Sequence, residues 1–314
     1  MIKTSAQAML SVNEKLKIQK NSIKNGNSKK RISIVTGTHG DELEGQYICY
    51  ALGKYLNENI SRLNGTVDIY PALNPLGIDS ITRGIPNYDL DMNRTFPGTE
   101  SGTMPEMIAH EILEDIKGSD ICIDIHASNI FLREIPQIRI SVPTAEMLVP
   151  YAKMLNVDFV WVHESATVLE STLAHSLNSS GTKTLVVEMG VGMRITKEYC
   201  SQLMNGIINL LVNLEILKDT DSPSVREPVI SLDGAVGFVN SPSAGIFVPE
   251  ASFGNIIEEG SIIGNVVNPL TAKITEQVTA PCSGLLFTLR EYPVVYGGSL
   301  IARILRQNEG GSEK

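Results

Sequence analysis

The sequence predicts an α/β protein, a zinc-carboxypeptidase-like arrangement of a mixed sheet flanked by helices, followed by a C-terminal all-β half-barrel module. Three observations carry this prediction. Short apolar runs alternate with segments of helical periodicity through the first two thirds of the chain, the pattern of a layered α/β sheet. Several of those runs end in turns that bear histidines and carboxylates. Beyond residue 222 helical periodicity disappears, and only short β-type runs remain, separated by Gly, Pro and Asn.

Taken in order, residues 15–31 are basic and bear glycine and asparagine, which predicts lead-in loops and at most a first edge strand. Residues 32–36 read as a buried strand and 42–58 as a helix, with a second strand at 66–70. A helix over 105–116 is opened by Pro105 and capped by Thr103 with Glu106. Further strands are expected at 121–126, 159–163 and 184–189, and a long helix at 195–217, where apolar positions recur at helical spacing. Residues 219–224 form a polar, proline-bearing linker. The expected units are therefore an α/β domain over 1–222 and a β module over 223–314, with strands at 245–248, 261–267, 284–289 and 299–305.

A chain of 314 residues can hold one large domain or two. With 42% hydrophobic and 19% charged residues it has the composition of a soluble globular protein. The formal charge of −9 argues against nucleic acid or an anionic membrane as the main partner, while local arginines can still receive a small anion. Cys49, Cys122, Cys200 and Cys282 lack a Cys-x-x-Cys spacing and read as reduced thiols. The first residues lack a signal-peptide pattern, and no apolar run approaches transmembrane length. These features predict a cytoplasmic protein, compatible with a homo-oligomer.

The string Gly37-Thr38-His39-Gly40-Asp41-Glu42 follows the strand at 32–36 directly. His39 and Glu42 lie about one helical turn apart, so both side chains can reach one point. Imidazole nitrogen and carboxylate oxygen suit a borderline cation such as zinc, and a catalytic site needs a third protein ligand. Asp124-Ile125-His126 offers one. Residues two apart on a strand share a face, and the C-terminal ends of strands are where α/β sheets place their sites. Asp124 could orient the imidazole. Taken singly, His126 reads as a core histidine and Glu42 as a helix N-terminal acid; together the three favour a metal.

Within the segment 89–98, Asn93 and Arg94 supply donors suited to clamping a carboxylate, and Arg83 lies upstream. The plainer reading pairs these arginines with Asp89 and Asp91. Glu188 closes an apolar strand, where a carboxylate without a task is costly, and it suits either a general base or a solvated strand-end acid. His110 and His175 read as surface histidines on polar helix faces; His163, at the end of a strand, could line the pocket rim, with a structural role preferred. Arg133, Arg139 and Arg194 follow motif residues closely enough to reach the site and contact an acidic group of a substrate, but the preferred reading pairs them with surface acids. Lys273 and the following Ala280–Gly284 stretch have the spacing of a biotinyl or lipoyl hairpin, but Ala272 and Ile274 flank the lysine in place of methionines. It is read as an ordinary turn lysine.

The order His-x-x-Glu, Asn-Arg-x-Phe, Asp-x-His and Glu-x-Gly resembles the succinylglutamate desuccinylase and aspartoacylase family, a branch of the zinc carboxypeptidase-like enzymes, over residues 31–217. The resemblance implies one zinc ion per chain held by His39, Glu42 and His126, with Glu188 as general base and acid. It further implies that Asn93 and Arg94 hold a substrate carboxylate and that Arg83 stabilises the oxyanion. Residues 84–88 lengthen the connection between Arg83 and Asn93 relative to aspartoacylase-type members. The implied activity is hydrolysis of the linear amide bond of a small N-acyl amino acid or related amine. Two alternatives use the same residues: a carboxypeptidase-like metallopeptidase acting on small peptides, and a non-catalytic metal- or ligand-binding scaffold.

Overall fold

The computed structural model describes residues 1–164, 170–231 and 235–306. The chain opens with β1 (Ile2–Met9), β2 (Lys15–Asn25), β3 (Arg31–Thr36), α1 (Glu44–Glu58), β4 (Gly65–Tyr70), α2 (Pro75–Ser80) and α3 (Met104–Ile116). It continues through β5 (Ile121–Ala127), β6 (Leu132–Ser141), α4 (Ala145–Ala152), β7 (Phe159–His163), α5 (Leu173–Ser179), β8 (Lys183–Gly190) and α6 (Lys197–Asn213). The remainder is β9 (Val229–Ser231), β10 (Val236–Asn240), β11 (Gly245–Pro249), β12 (Ile256–Ile257), β13 (Ile262–Asn268), β14 (Lys273–Thr279), β15 (Gly284–Arg290), β16 (Val294–Val295) and β17 (Leu300–Arg306).

A 13-stranded mixed sheet runs β1-β2-β4-β3-β5-β8-β6-β15-β17-β10, with β7, β9 and β12 attached beside this path. Its centre is parallel: β3 pairs with β4 and β5, and β5 with β8. Both faces of this centre are covered, which is why β3 and β5 are buried almost without alternation. On one face α1 and α6 bury Ile48, Leu52, Leu56, Leu203, Ile207 and Leu210. On the other, α3 and α5 bury Ile108, Ile112, Leu173 and Leu177. The capping box of α3 is present, with Thr103 N–H donating to Glu106 Oε2 at 2.7 Å.

The C-terminal strands do two things. β15, β17 and β10 extend the main sheet, because β15 pairs with the first residues of β6. β14, β13, β11 and β16 form a second, four-stranded sheet, and Phe247, Ile263, Val266 and Ile304 fill the core between the two. Phe287 of β15 packs on Phe159 of β7 with ring centroids 5.0 Å apart.

Several strands were not expected, β1, β10 and β14 among them, and two departures have a clear physical reason. Residues 15–25, expected as loops or a marginal edge, form a full strand paired with β1. Its inward positions are Leu16, Ile18 and Lys20, and the lysine masks the alternation. Lys20 Nζ lies 3.1 Å from Asp68 Oδ2 and 2.8 Å from Asp115 Oδ1, which compensates its burial. β6 escaped the sequence reading because Pro136 and charged residues interrupt it. Glu134 opposes Gly190 and Gln137 opposes Glu188, so β6 carries one extra residue at this point. A bulge of this kind accommodates a proline, and beyond it the strand exchanges β15 for β7 as its other neighbour. Among the described residues, no helix is long and apolar enough to cross a membrane.

Candidate active site and metal centre

The site lies at the C-terminal ends of the parallel strands. After β3, Gly37 adopts φ +68°, and a Cβ on Gly40 would come within 2.0 Å of the Gly77 carbonyl carbon. The chain can therefore turn tightly and press against the start of α2 only with glycine at these positions. This turn presents His39 and Glu42, each 3% exposed, before α1 begins at Glu44. His126 projects near the end of β5, and Glu188 stands opposite it on β8 in direct register.

The two imidazoles and the carboxylate converge. His39 Nδ1 lies 2.8 Å from Glu42 Oε1, and His126 Nδ1 lies 3.0 Å from Glu42 Oε2. The two Nδ1 atoms are 3.2 Å apart. Each outer ring nitrogen faces another carboxylate: His39 Nε2 is 3.0 Å from Asp91 Oδ1, and His126 Nε2 is 3.2 Å from Asp124 Oδ2. Carboxylates placed this way favour a proton on Nε2 and a lone pair on Nδ1. Two lone pairs and a carboxylate would then face one another with ligand atoms within 4.8 Å, an arrangement that calls for positive charge at its centre. Burial alone would lower the histidine pKa values, yet Glu42 and Asp91 raise that of His39, and Asp124 and Glu42 raise that of His126. Burial likewise opposes ionisation of Glu42, but the imidazoles hold its carboxyl well below the usual range. Two nitrogens and one carboxylate, each imidazole backed by an acid, are a donor set that could hold a divalent metal ion.

A cavity of about 630 Å³ opens beside these groups. His39, Arg83, Asn93, Arg94, His126 and Glu188 line it, with Glu42 behind the histidines. The side chain of Glu188 is 17% exposed, and burial pushes its pKa up against the opposing pull of Arg139 and His126. Arg83 is 43% exposed; its Nη1 donates to Glu42 Oε1 at 2.8 Å, and its Nη2 lies 3.5 Å from Asp91 Oδ2. The loop pairing weighed for the arginines thus exists for Arg83, and it reaches Glu42 of the His39, Glu42 and His126 cluster as well. Asn93 Oδ1 accepts from the Leu173 N–H at 3.0 Å, which ties the loop to the first turn of α5 and leaves Nδ2 as the donor end. Arg94 is exposed, and its Nη1 donates to the Asn93 carbonyl at 2.7 Å.

Three residues set aside on sequence grounds also line the cavity: Arg139, His163 and His175. Arg139 is not in a surface ion pair. It lies between Glu134 and Glu188 and over the Trp161 ring, 5.6 Å from its centroid. The alternation Gln137-Ile138-Arg139-Ile140 would have revealed a strand carrying an inward arginine, had Pro136 not obscured it. His175 sits on a helix short enough that its polar side forms the cavity wall. His110, by contrast, reaches outward to Glu100 at 3.5 Å, and Arg194 is exposed. Arg133 lies over the Tyr199 and Phe253 rings. Lys273 is exposed at the start of β14, next to Ala272 at φ +52°. All four cysteines are unpaired.

Comparison with known proteins identifies the family and agrees with the fold. The catalytic-domain profile of the succinylglutamate desuccinylase/aspartoacylase family matches residues 28–214, more than half of the chain. N-alpha-acetyl-L-2,4-diaminobutyric acid deacetylase from Halomonas elongata is 25% identical over 286 residues, 86% of this chain and 80% of the relative. The product-bound ectoine utilization protein EutE (DoeB) from Ruegeria pomeroyi superposes with a TM-score of 0.81 at 21% identity, covering 96% of this chain and 93% of that one. A succinylglutamate desuccinylase/aspartoacylase from Rhodobacter sphaeroides superposes with a TM-score of 0.79 at 23% identity, covering 98% and 96%. The same ordered motifs that shape the site fall inside the matched segment, and this chain belongs to the succinylglutamate desuccinylase/aspartoacylase family.

Proposed function

We propose that this protein is a zinc-dependent deacylase that hydrolyses the linear amide bond of a small N-acyl amino acid or related N-acylated amine. The relatives named above as deacetylase and desuccinylase support an amide hydrolase. The observation that carries the reading is the convergence of His39, Glu42 and His126 beside a partly buried Glu188 on one cavity. In this proposal residues 1–222 hold the chemistry and 223–314 form the β module beside it.

His39, Glu42 and His126 would hold the ion, which when bound supplies Lewis acidity to the amide carbonyl and the attacking water. Glu188 accepts the proton from that water and returns it to the leaving amine. Its partial burial favours this role, because a carboxylate with a raised pKa is the stronger base. Asn93 Nδ2 and the exposed Arg94 guanidinium clamp a substrate carboxylate and so fix the amide over Glu188. Arg83, held at the cluster by Glu42 and Asp91, supplies a cation for the developing oxyanion.

Turnover of an N-acyl amino acid panel against a dipeptide panel, with zinc supplied, tests the reading. The N-acyl substrates are expected to be hydrolysed in preference, and Glu188→Gln is expected to lower kcat by about 10²- to 10⁴-fold while retaining zinc. Preference for dipeptides would favour a metallopeptidase. Stoichiometric zinc without amide hydrolysis would favour a binding scaffold.

A further inference from the structure

A partly buried chain of charges runs from the C-terminal strands to Glu188. Arg303 on β17 donates from Nη1 to Glu134 Oε1 at 2.6 Å. Thr288 on β15 donates its hydroxyl to the same oxygen at 3.2 Å. Glu134 is 1% exposed, and its two oxygens accept from Arg139 Nη2 at 3.1 and 3.0 Å. Arg139 Nη1 in turn lies 3.4 Å from Glu188 Oε1. The bulge in β6 makes the chain feasible, because the extra residue turns Glu134 onto the face that Gln137 and Arg139 share with Glu188.

The chain is balanced, with two carboxylates and two guanidiniums in alternation. That balance decides what Arg139 does. Its terminal nitrogens are divided between Glu134 and Glu188, and the Trp161 ring lies beneath it, so the guanidinium is held from three sides. Trp161 also lies under Arg303, 5.9 Å from the ring centroid, so one indole supports both guanidiniums. Fixing a side chain that carries chemistry requires neighbours whose own rotamers are locked. Arg139 is locked on the side remote from the cavity and meets Glu188 on the other.

We propose that Arg303, Glu134 and Arg139 are positioning residues: Arg303 and Glu134 fix the Arg139 guanidinium, which holds the Glu188 carboxylate in place, so that a C-terminal β strand takes part in setting turnover. The inference rests on Glu188 being the base.

Arg303→Gln and Arg303→Lys, assayed beside Glu188→Gln for kcat, KM, zinc content and thermal midpoint, test it. Arg303→Gln removes the charge and keeps a hydrogen-bonding side chain. It is expected to lower kcat by about 10- to 100-fold, with KM changed by less than about twofold, zinc content retained and the protein still folded at the assay temperature. Arg303→Lys is expected to recover most of the lost kcat. Unchanged kcat in Arg303→Gln, an effect confined to KM, or a lysine variant as slow as the glutamine one would each overturn the proposal. Should Arg303→Gln not fold, Arg139→Lys carries the test, since a single ammonium cannot bridge both carboxylates. A comparable fall in kcat supports the proposal, and parental turnover overturns it. An inactive Glu188→Gln beside a fully active Arg303→Gln sinks only this inference. A fully active Glu188→Gln sinks the assignment of the base itself.

Discussion

The site turns on which atoms of two histidines face each other. Both present Nδ1 to the centre and turn Nε2 toward an acid, so Asp91 and Asp124 matter as much as the groups that would hold the ion. Asp91→Asn should leave His39 in place but weaken its hold on the outer ring nitrogen. Zinc affinity, measured by competition with a chelator, is expected to fall about 10- to 100-fold, and unaltered affinity would refute this role for Asp91. His39, Glu42 and His126 were legible in the sequence because backbone geometry dictates the spacing: one helical turn for the first pair, a strand terminus for the third residue. Arg139 was not. An arginine in a one-dimensional string looks solvated, and only the pairing of β6 with β8 brings it against Glu188.

Among the elements, β3, β5 and β8 were legible for a simple reason: helices cover both faces, and the strands read as apolar runs. β2 and β6 were hidden because each carries a buried charge where an apolar residue would announce a strand. For β2 that charge anchors the N-terminal hairpin to β4 and α3, through Asp68 and Asp115. Lys20→Met would leave two carboxylates facing each other with their buried cation removed, and is expected to destabilise the protein by about 3 to 5 kcal/mol, read from the urea midpoint. The same cluster sets a dependence on pH. Burial opposes ionisation of Asp115, but Lys20, Ser5 and Tyr70 lower its pKa below the usual aspartate value. A group depressed on folding contributes stability above its unfolded pKa and loses it as pH falls through the folded one. The stability lost on acidification below the ordinary aspartate range should therefore be smaller in Asp115→Asn. Parallel pH profiles for parent and variant would contradict this.

For the whole molecule, the question is what the β module contributes. The change of texture near residue 219 was visible in the sequence, but the pairing of β15 with β6 was not, since long-range strand pairing leaves no local mark. Removing residues 223–314 would uncover the β6 edge, strip Glu134 of Arg303 and Thr288, and expose Phe159 where Phe287 covers it. An unpaired apolar edge promotes association between chains. A fragment of residues 1–222 is expected to aggregate or to melt well below the full chain; a soluble monomer with the parental midpoint would show that the module is dispensable for folding.

The proposed function depends on a cation between His39, His126 and Glu42. The direct measurement is zinc titration into chelator-stripped protein, following bound metal and amide hydrolysis together, with His39→Ala/His126→Ala in parallel. The expected result is one zinc per chain, turnover returning in proportion to occupancy, and neither in the double variant. Full turnover in the stripped protein, or zinc held as tightly without the two imidazoles, would contradict the account.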